Sequence, residues 1–228
     1  MILRRPVRWG ESVMLVVTGT AGGAGCTVAA SALALHSART APTLLVDLRG
    51  DVGAMLGGVE VDWGLDQWLD ADDPPPDALR RIEVPVADGL AVVAPSSPAV
   101  SIAGRADLGL LAELLLADER RVVVDAGPLT SPADAVRAGA TTLVAVTRLC
   151  HVALHRSRRM VADGLVVDGV VAVAEPGRLL TTADAAEALG APVRVRLRWD
   201  PAVAAAVDRG VFLRRPPARL RSLRRLLS

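Results

Sequence analysis

A short apolar strand, a glycine-rich turn and an alanine-rich helix follow one another near the start of the chain. The strand is Val13–Val17 and the helix is Thr27–Arg39. The turn between them starts at Gly19 and holds four glycines within seven residues. In such a layout, successive backbone N–H groups and the positive end of a helix point at one place, where a phosphate group can bind. The chain must therefore adopt a fold in which a buried strand leads directly into a helix.

We compare this turn, from Gly19 onwards, with the phosphate-loop pattern G-x-x-x-x-G-K-[ST]. Cys26 stands where the pattern has lysine, and Thr27 supplies the hydroxyl that follows it. The chain contains no lysine at all, because all 26 basic residues are arginine, so no other lysine can replace the missing one. The predicted phosphate-binding residues are Gly19, Gly22, Gly23, Ala24, Gly25, Cys26 and Thr27.

The composition favours one large domain with a substantial core, since the chain has 228 residues and about half are apolar. Its longest apolar runs are far shorter than the roughly 20 residues that cross a bilayer, and we see no signal peptide. The two cysteines, Cys26 and Cys150, fit a reducing cytoplasm rather than a disulfide framework. A net charge of +1 makes no case for nucleic-acid binding by the chain as a whole.

Short apolar segments alternate with helical segments along most of the chain, which predicts an α/β fold with a mostly parallel, twisted sheet flanked by helices. We expect an N-terminal arm at 1–12, one domain at 13–210 and a basic tail at 211–228. The strands are expected at 13–17, 43–48, 90–94, 120–125, 142–146, 165–174 and 193–197. The helices are expected at 27–39, 65–70, 108–118, 133–139, 150–163, 182–189 and 201–209, with an exposed linker at 72–77.

Two aspartates close predicted strands, Asp47 in TLLVDL and Asp125 in RRVVVD. Ligands of parallel sheets bind at the carboxyl ends of the strands, where these acids and the glycine turn all fall. In a phosphate-loop protein, a carboxylate at the place of Asp125 holds Mg²⁺ or its water, and Asp47 could orient a water. The alternative is that each aspartate only caps the next element.

Four segments in this order resemble the MinD/ParA group of deviant Walker A ATPases. They are the glycine turn, VDL, VVVDAGP and RLRWDPAVAAAVDRG. Within that group, the chain looks most similar to the MinD-like proteins of actinobacteria and to the TadZ/CpaE branch, whose second motif resembles LLVDLRGDVGAMLGG. The resemblance covers residues 13–210 and implies a P-loop NTPase fold.

The resemblance also implies roles for single residues. The family loop reads K-G-G-x-G-K-T, and its two lysines correspond to Ala21 and Cys26, so both charges are lost. Thr27 and Asp125 would hold Mg²⁺, and Asp47 would position the attacking water.

The implied cofactor is ATP or ADP with Mg²⁺, bound weakly or not at all. A charged hydrogen bond contributes about 1.5–3 kcal/mol, and two such contacts are missing. Arg49 or Arg148 could supply a replacement charge, although arginine is bulkier than lysine and prefers bidentate contacts.

The tail reads as a basic amphipathic helix that begins near Pro217. Its apolar face and one of its arginines give the predicted contact set, Leu220, Leu223, Arg224, Leu226 and Leu227. Such a helix can lie on an anionic membrane, as the corresponding helix of MinD-type relatives does. The alternatives are a helix docked on the protein's own body, or an arm that binds acidic protein or nucleic acid.

Three functional hypotheses follow. We favour a non-hydrolysing MinD/ParA-like positioning or scaffold protein, with protein partners in a pilus or secretion apparatus or at the division site. The second is a working ATPase switch that cycles between monomer and homodimer. The third, with nucleic acid as the partner, is a DNA-associated partition protein that uses the tail and Arg156–Arg159. In each case we expect a cytoplasmic protein, peripheral at the inner face of the plasma membrane if the tail binds lipid.

Overall fold

The computed structural model describes residues 13–57, 61–71, 75, 77–97, 102, 108–128 and 134–227, so the predicted arm and most of the predicted linker lie outside the described residues. An eight-stranded sheet in the order β3-β4-β2-β5-β1-β6-β7-β8 forms its centre. All neighbouring strands are parallel except β3 and β4. The strands are β1 Met14–Gly19, β2 Thr43–Asp47, β3 Val84–Ala87, β4 Leu90–Val93, β5 Arg121–Pro128, β6 Thr142–Arg148, β7 Gly169–Ala174 and β8 Val193–Arg198. The predicted fold class is confirmed.

Nine α-helices in the described residues connect or flank these strands. They are α1 Cys26–Ala38, α2 Val52–Leu56, α3 Leu65–Asp70, α4 Ala78–Arg81, α5 Gly109–Ala117, α6 Asp134–Gly139, α7 His151–Ala162, α8 Thr182–Leu189 and α9 Pro201–Asp208. Seven of them match the predicted helices to within about two residues. None of the described helices is both long and apolar enough to cross a membrane.

The sheet is buried on both faces, which is why its inner strands read as continuous apolar runs rather than as alternating ones. In β1, Met14 and Val16 pack into one core cluster, whereas Leu15 and Val17 pack into the other. The first cluster holds Trp68 of α3, and the second holds the alanines of α1. Successive strand residues point to opposite faces, so the sheet separates two cores.

The predictions missed an edge hairpin and two short helices. β3 has the sequence VPVA, contains Pro85 and alternates between half-buried and exposed positions, as an edge strand can. The helices α2 and α4 have only five and four residues, too short for a periodic signal. The predicted strand 165–174 starts instead at Gly169, because residues 163–165 form the turn that follows α7 and the side chain of Asp168 accepts a hydrogen bond from the Leu143 N–H.

The tail folds back onto the body as a 3₁₀ helix, Ala218–Leu227, and not as the predicted α-helix. Leu220 and Leu223 are buried in the cluster that contains α1 and β8, and Leu226 and Leu227 pack against its edge. A 3₁₀ helix has three residues per turn, so Leu220, Leu223 and Leu226 share one face. Phe212, which precedes the helix, is also fully buried there.

Polar contacts hold the same segment in place. His36 of α1 shares a hydrogen bond with the Leu220 carbonyl (3.2 Å), and Arg219 forms an ion pair with Asp200 at the start of α9 (2.7 Å). Leu220 and Leu223 therefore form part of the core in this conformation, whereas Leu226 and Leu227 are only partly covered.

Candidate functional site

The sheet order brings the glycine turn and both aspartates together at the carboxyl ends of the central strands. From β1 the chain first builds the β2 side of the sheet, returns to β5 and then builds β6 to β8 on the other side. The turn after β1 lies at this switch point, where parallel sheets bind ligands. Asp125 is aligned with Val17 of β1 on one side and with Asp47 of β2 on the other.

The turn itself is open on its outer side. Gly23 and Gly25 have φ values of 70° and 94°, in the left-handed region that favours glycine. A Cβ placed on Gly22, Gly23 or Gly25 would meet no atom of the described residues within 4 Å, so none of those residues covers the outer surface of the turn there. This geometry lets a ligand approach the backbone closely.

The start of the phosphate-loop pattern needs a correction. Counted back from Thr27, the first glycine of the pattern falls on Thr20 and not on Gly19. The Thr20 N–H donates to the Val146 carbonyl (3.1 Å), and its hydroxyl donates to the Thr147 hydroxyl (2.8 Å). Thr20 is fully buried against β6, so this position is held by side-chain contacts that a glycine could not make.

Cys26 is the first residue of α1, and its side chain points inward. The thiol donates to Oδ1 of Asp125, with 3.0 Å between sulfur and oxygen, and the Val17 carbonyl lies 3.3 Å from the sulfur. Burial, and next the negative charge of Asp125, raise the pKa of the Cys26 thiol well above its usual value. Cys26 is therefore a neutral thiol at pH 7 and a hydrogen-bond donor to the carboxylate, rather than a thiolate.

Asp125 is fully buried at the centre of the site. Its Oδ1 accepts hydrogen bonds from the Cys26 thiol and from the Gly127 N–H (3.1 Å). Its Oδ2 is buried, and no donor among the described residues reaches it with hydrogen-bond geometry. Burial raises the pKa of Asp125, whereas the nearby Thr27 hydroxyl, Cys26 and Gly127 oppose that rise.

Asp47 is fully buried beside Asp125 and caps the turn into α2. Its Oδ1 accepts from the N–H groups of Arg49 and Gly50, and its Oδ2 accepts from the Val52 N–H, each at 2.8 Å. Burial, and then the charge of Asp125, raise the pKa of Asp47 to about 7, against the lowering effect of these three bonds. The capping alternative is thus realised at Asp47, and both of its oxygens are engaged.

The two arginines suggested as replacement charges lie in different places. The side chain of Arg49 crosses Gly127, since its Cδ and Cγ occupy the space of a Cβ there. Arg148, at the end of β6, donates instead to Glu175, which also accepts from Arg178 (2.9 Å). Arg49 therefore borders the site, and Arg148 is committed to an ion pair.

Two contributors to the site were not predicted from the sequence. Thr18 donates from its hydroxyl to the Gly127 carbonyl (3.0 Å), which ties the loop after β5 to β1. Gly127 has φ of 64° and leaves room for Arg49, so it sets how Arg49 approaches the aspartates. The sequence A-G-P after Asp125 was the available signal for this second tight turn.

These residues fit a nucleotide with Mg²⁺ in shape but not in charge. The open glycine turn fits a phosphate group, and the unsatisfied Oδ2 of Asp125 together with Thr27 fits a divalent cation. The position that should place a cation on the β- and γ-phosphates instead holds the neutral Cys26 thiol, which is bonded to Asp125. The site can therefore hold phosphate oxygens by its backbone and Mg²⁺ by its oxygens, without the fixed positive charge of a lysine.

Comparison with known proteins identifies the fold. No protein-family model matches the chain, and no curated protein sequence matches it. Solved structures do match. A ParA family ATPase from Chlorobium tepidum TLS is 16% identical with a TM-score of 0.76, and the match covers 96% of this chain and 98% of that chain.

Two further structures agree with it. The septum site-determining protein MinD complexed with Mg-ADP, from Pyrococcus horikoshii OT3, is 16% identical with a TM-score of 0.75, and the match covers 94% of each chain. The MinC:MinD cell division protein complex from Aquifex aeolicus is 16% identical with a TM-score of 0.69, and the match covers 95% of this chain and 96% of that chain. The chain therefore has the MinD/ParA-like fold of P-loop NTPases.

Proposed function

We propose that the protein is a MinD/ParA-like positioning or scaffold protein whose nucleotide site does not hydrolyse ATP. The observation that carries the proposal is the contact between the Cys26 thiol and Asp125 in a chain without lysine. A neutral thiol stands at the lysine position and hydrogen-bonds Oδ1 of the carboxylate that would serve Mg²⁺. We also propose that the loop is a degenerate Walker A motif, because Ala21 and Cys26 stand where the family loop has its two lysines. The second motif, LLVDLRGDVGAMLGG, supports a relation to the TadZ/CpaE branch.

Hydrolysis is expected to suffer more than binding. Phosphoryl transfer depends on fixed positive groups that stabilise charge as it develops on the transferred group. Backbone N–H groups, with Mg²⁺ held by Thr27 and Asp125, bind the ground state without that added stabilisation. Mg²⁺ would supply charge neutralisation at the phosphates when bound. Both oxygens of Asp47 already accept hydrogen bonds from backbone N–H groups, so Asp47 is poorly placed to orient an attacking water.

A hydrolysis assay tests the proposal directly. We expect the purified protein to release phosphate from Mg·ATP at the same rate as Asp125→Ala, because neither has the charge needed for transfer. The measurement is steady-state phosphate release, with a buffer blank and a far-ultraviolet circular dichroism spectrum of the variant as a folding control. A rate for the wild-type protein well above that of Asp125→Ala would contradict the proposal.

Restoring the missing charge should strengthen nucleotide binding. Cys26→Lys puts an ammonium group at the turn, and one charged hydrogen bond of about 1.5–3 kcal/mol corresponds to at least tenfold tighter binding of Mg·ADP. Calorimetric titration measures the change. Cys26→Met is the matched control, because it adds length without charge. Equal affinities for the two variants would show that charge is not what the site lacks.

One observation supports a nucleotide-dependent switch as the second candidate function. The glycine turn is open, and Oδ2 of Asp125 is available to a cation, so the switch requires only Mg²⁺-dependent binding of ATP or ADP with Thr27 as a ligand. The same titration with Thr27→Ala tests the binding that the switch requires, and the hydrolysis assay separates a working ATPase switch from the non-hydrolysing scaffold. Binding that needs Mg²⁺ and Thr27 supports the switch, and absence of binding up to millimolar nucleotide removes it.

The partner is proposed to be another protein. The structure from Aquifex aeolicus shows a protein of this fold in complex with MinC. By analogy with such an assembly, we propose that this chain docks a component of a division, pilus or secretion apparatus, with homodimerisation as a further possibility. Peripheral membrane binding through the tail requires release of Leu220 and Leu223 from the core, which makes it the secondary proposal.

A further inference from the structure

A large basic cleft lies at the amino ends of the strands, at the opposite end of the sheet from the glycine turn. Its volume is about 700 Å³, and it opens where α1 ends, β5 begins and the tail helix crosses. It is lined by His36, Arg39, Thr40, Arg121, Arg221, Arg224 and Leu227. This volume is in the range of pockets that hold small molecules.

Three separate chain segments bring positive charge to this cleft. Arg39 caps the C-terminus of α1, Arg121 starts β5, and Arg221 and Arg224 come from the tail. In a 3₁₀ helix, residues three apart lie on one face, so Arg221 and Arg224 face the cleft while Leu220 and Leu223 face the core. The tail therefore completes the cleft by docking.

No described residue that lines the cleft is acidic. Arg39, Arg221 and Arg224 form no ion pair with the described acids, and Arg121 donates to the Thr40 hydroxyl (2.8 Å). The smaller adjoining cavity, about 370 Å³, shares Arg39 and Arg221 and includes one acid, Asp88.

The convergence of like charges destabilises the fold unless something offsets it. Attraction to the negative end of the α1 dipole accounts for Arg39 alone. It does not explain why the tail brings two more guanidinium groups, those of Arg221 and Arg224, to the same place. Guanidinium groups match phosphate oxygens in geometry, and several of them around one cavity form a site for a multiply charged anion. The pKa of His36 is lowered by burial and by Arg39, Arg224 and Arg221, in keeping with a strongly positive cleft.

We propose that this cleft binds a small soluble anion that carries two or more phosphate charges, with inorganic diphosphate as the simplest member of the class. The anion bridges the end of α1, the start of β5 and the docked tail. This site is separate from the glycine turn, so it is independent of whether the turn binds nucleotide.

Calorimetric titration of the full chain with inorganic diphosphate, at constant ionic strength, tests the proposal. The double variant Arg221→Gln/Arg224→Gln is expected to weaken binding at least tenfold. Arg214→Gln is the matched control, because Arg214 is an exposed tail arginine outside the cleft, and it should leave the affinity unchanged. Thr27→Ala should also leave it unchanged, which separates this site from the glycine turn.

The NMR resonances of the histidine side chains, followed against pH, give a local readout of diphosphate binding in the same samples. Diphosphate should raise the pKa of His36, because a bound anion favours the imidazolium, and should leave His151 and His155 unaltered. Equal binding by the double variant, loss of binding in Thr27→Ala, or an unchanged His36 would overturn the proposal. Pelleting with phosphatidylglycerol vesicles or duplex DNA, without any binding of diphosphate, would likewise overturn it in favour of a lipid or nucleic-acid surface.

Discussion

The free energy of unfolding is expected to fall as the pH rises from 4 to 7, by up to about 4 kcal/mol, because of Asp47. Its pKa is about 7 in the folded protein and about 4 in the unfolded chain, so the folded state holds a proton that the unfolded state has lost. Stabilisation from this group is complete below pH 4 and is lost as the pH passes through 7. Asp125, whose pKa is also raised, contributes with the same sign.

Urea denaturation at a series of pH values measures this slope, and Asp47→Asn is the variant that should flatten it. Asparagine has one acceptor oxygen where Asp47 offers two to the N–H groups of Arg49, Gly50 and Val52, so the variant is less stable overall. The comparison therefore rests on the slope of stability against pH and not on the absolute stability of the variant. Carboxylates with lowered pKa, such as Asp66, lose their stabilising effect only below about pH 4, and both proteins share them. Parallel pH curves for the two proteins would contradict the assignment.

Most of the strands and helices could be read from the sequence because each of them carries its own local pattern of apolar residues. Residues 14–17 of β1 and 143–146 of β6 are apolar throughout, as expected of strands covered on both faces. The hairpin strand Val84–Ala87 carries no such signal, because it lies at the sheet edge and is only half covered. Its pairing with β4 is a tertiary contact, which local pattern does not encode.

The sequence predicted that the glycine turn and the two aspartates lie together, but not how their side chains are hydrogen-bonded. The order of motifs brought the turn, Asp47 and Asp125 to one edge, since parallel strands end at the same side of a sheet. Spacing alone could not show that the Cys26 thiol turns inward to Asp125, or that backbone N–H groups take up both oxygens of Asp47. These bonds depend on side-chain direction and on the backbone of the next loop.

The conformation of the tail could not be predicted from residue spacing alone either. Leucines at 220, 223 and 226 fit both an α-helix on a membrane and a 3₁₀ helix on the body, because a spacing of three satisfies either. What decides between them is the apolar surface that α1 and β8 offer, and that surface exists only once the sheet has formed.

Leu223→Ala is expected to lower the free energy of unfolding by about 2–5 kcal/mol. Leu223 is fully buried in the cluster formed with α1 and β8, so the substitution removes apolar contacts and leaves a cavity. Urea denaturation of the full chain measures the loss. Leu179→Ala is the control, because Leu179 is 95% exposed and its removal should change stability by less than about 0.5 kcal/mol. A similarly small effect at Leu223 would mean that the tail is not docked in solution.

The docking of the tail on the body also bears on the proposed membrane role. A tail that binds vesicles must first leave the body, and each arginine near an anionic surface returns only about 1 kcal/mol. A body variant that weakens docking, Val195→Ala in β8, leaves the tail sequence intact and should shift the balance towards the released form. If the tail is a membrane anchor, Val195→Ala will pellet with phosphatidylglycerol vesicles more strongly than the wild-type protein. If the tail is structural, as its buried leucines indicate, the variant will only be less stable.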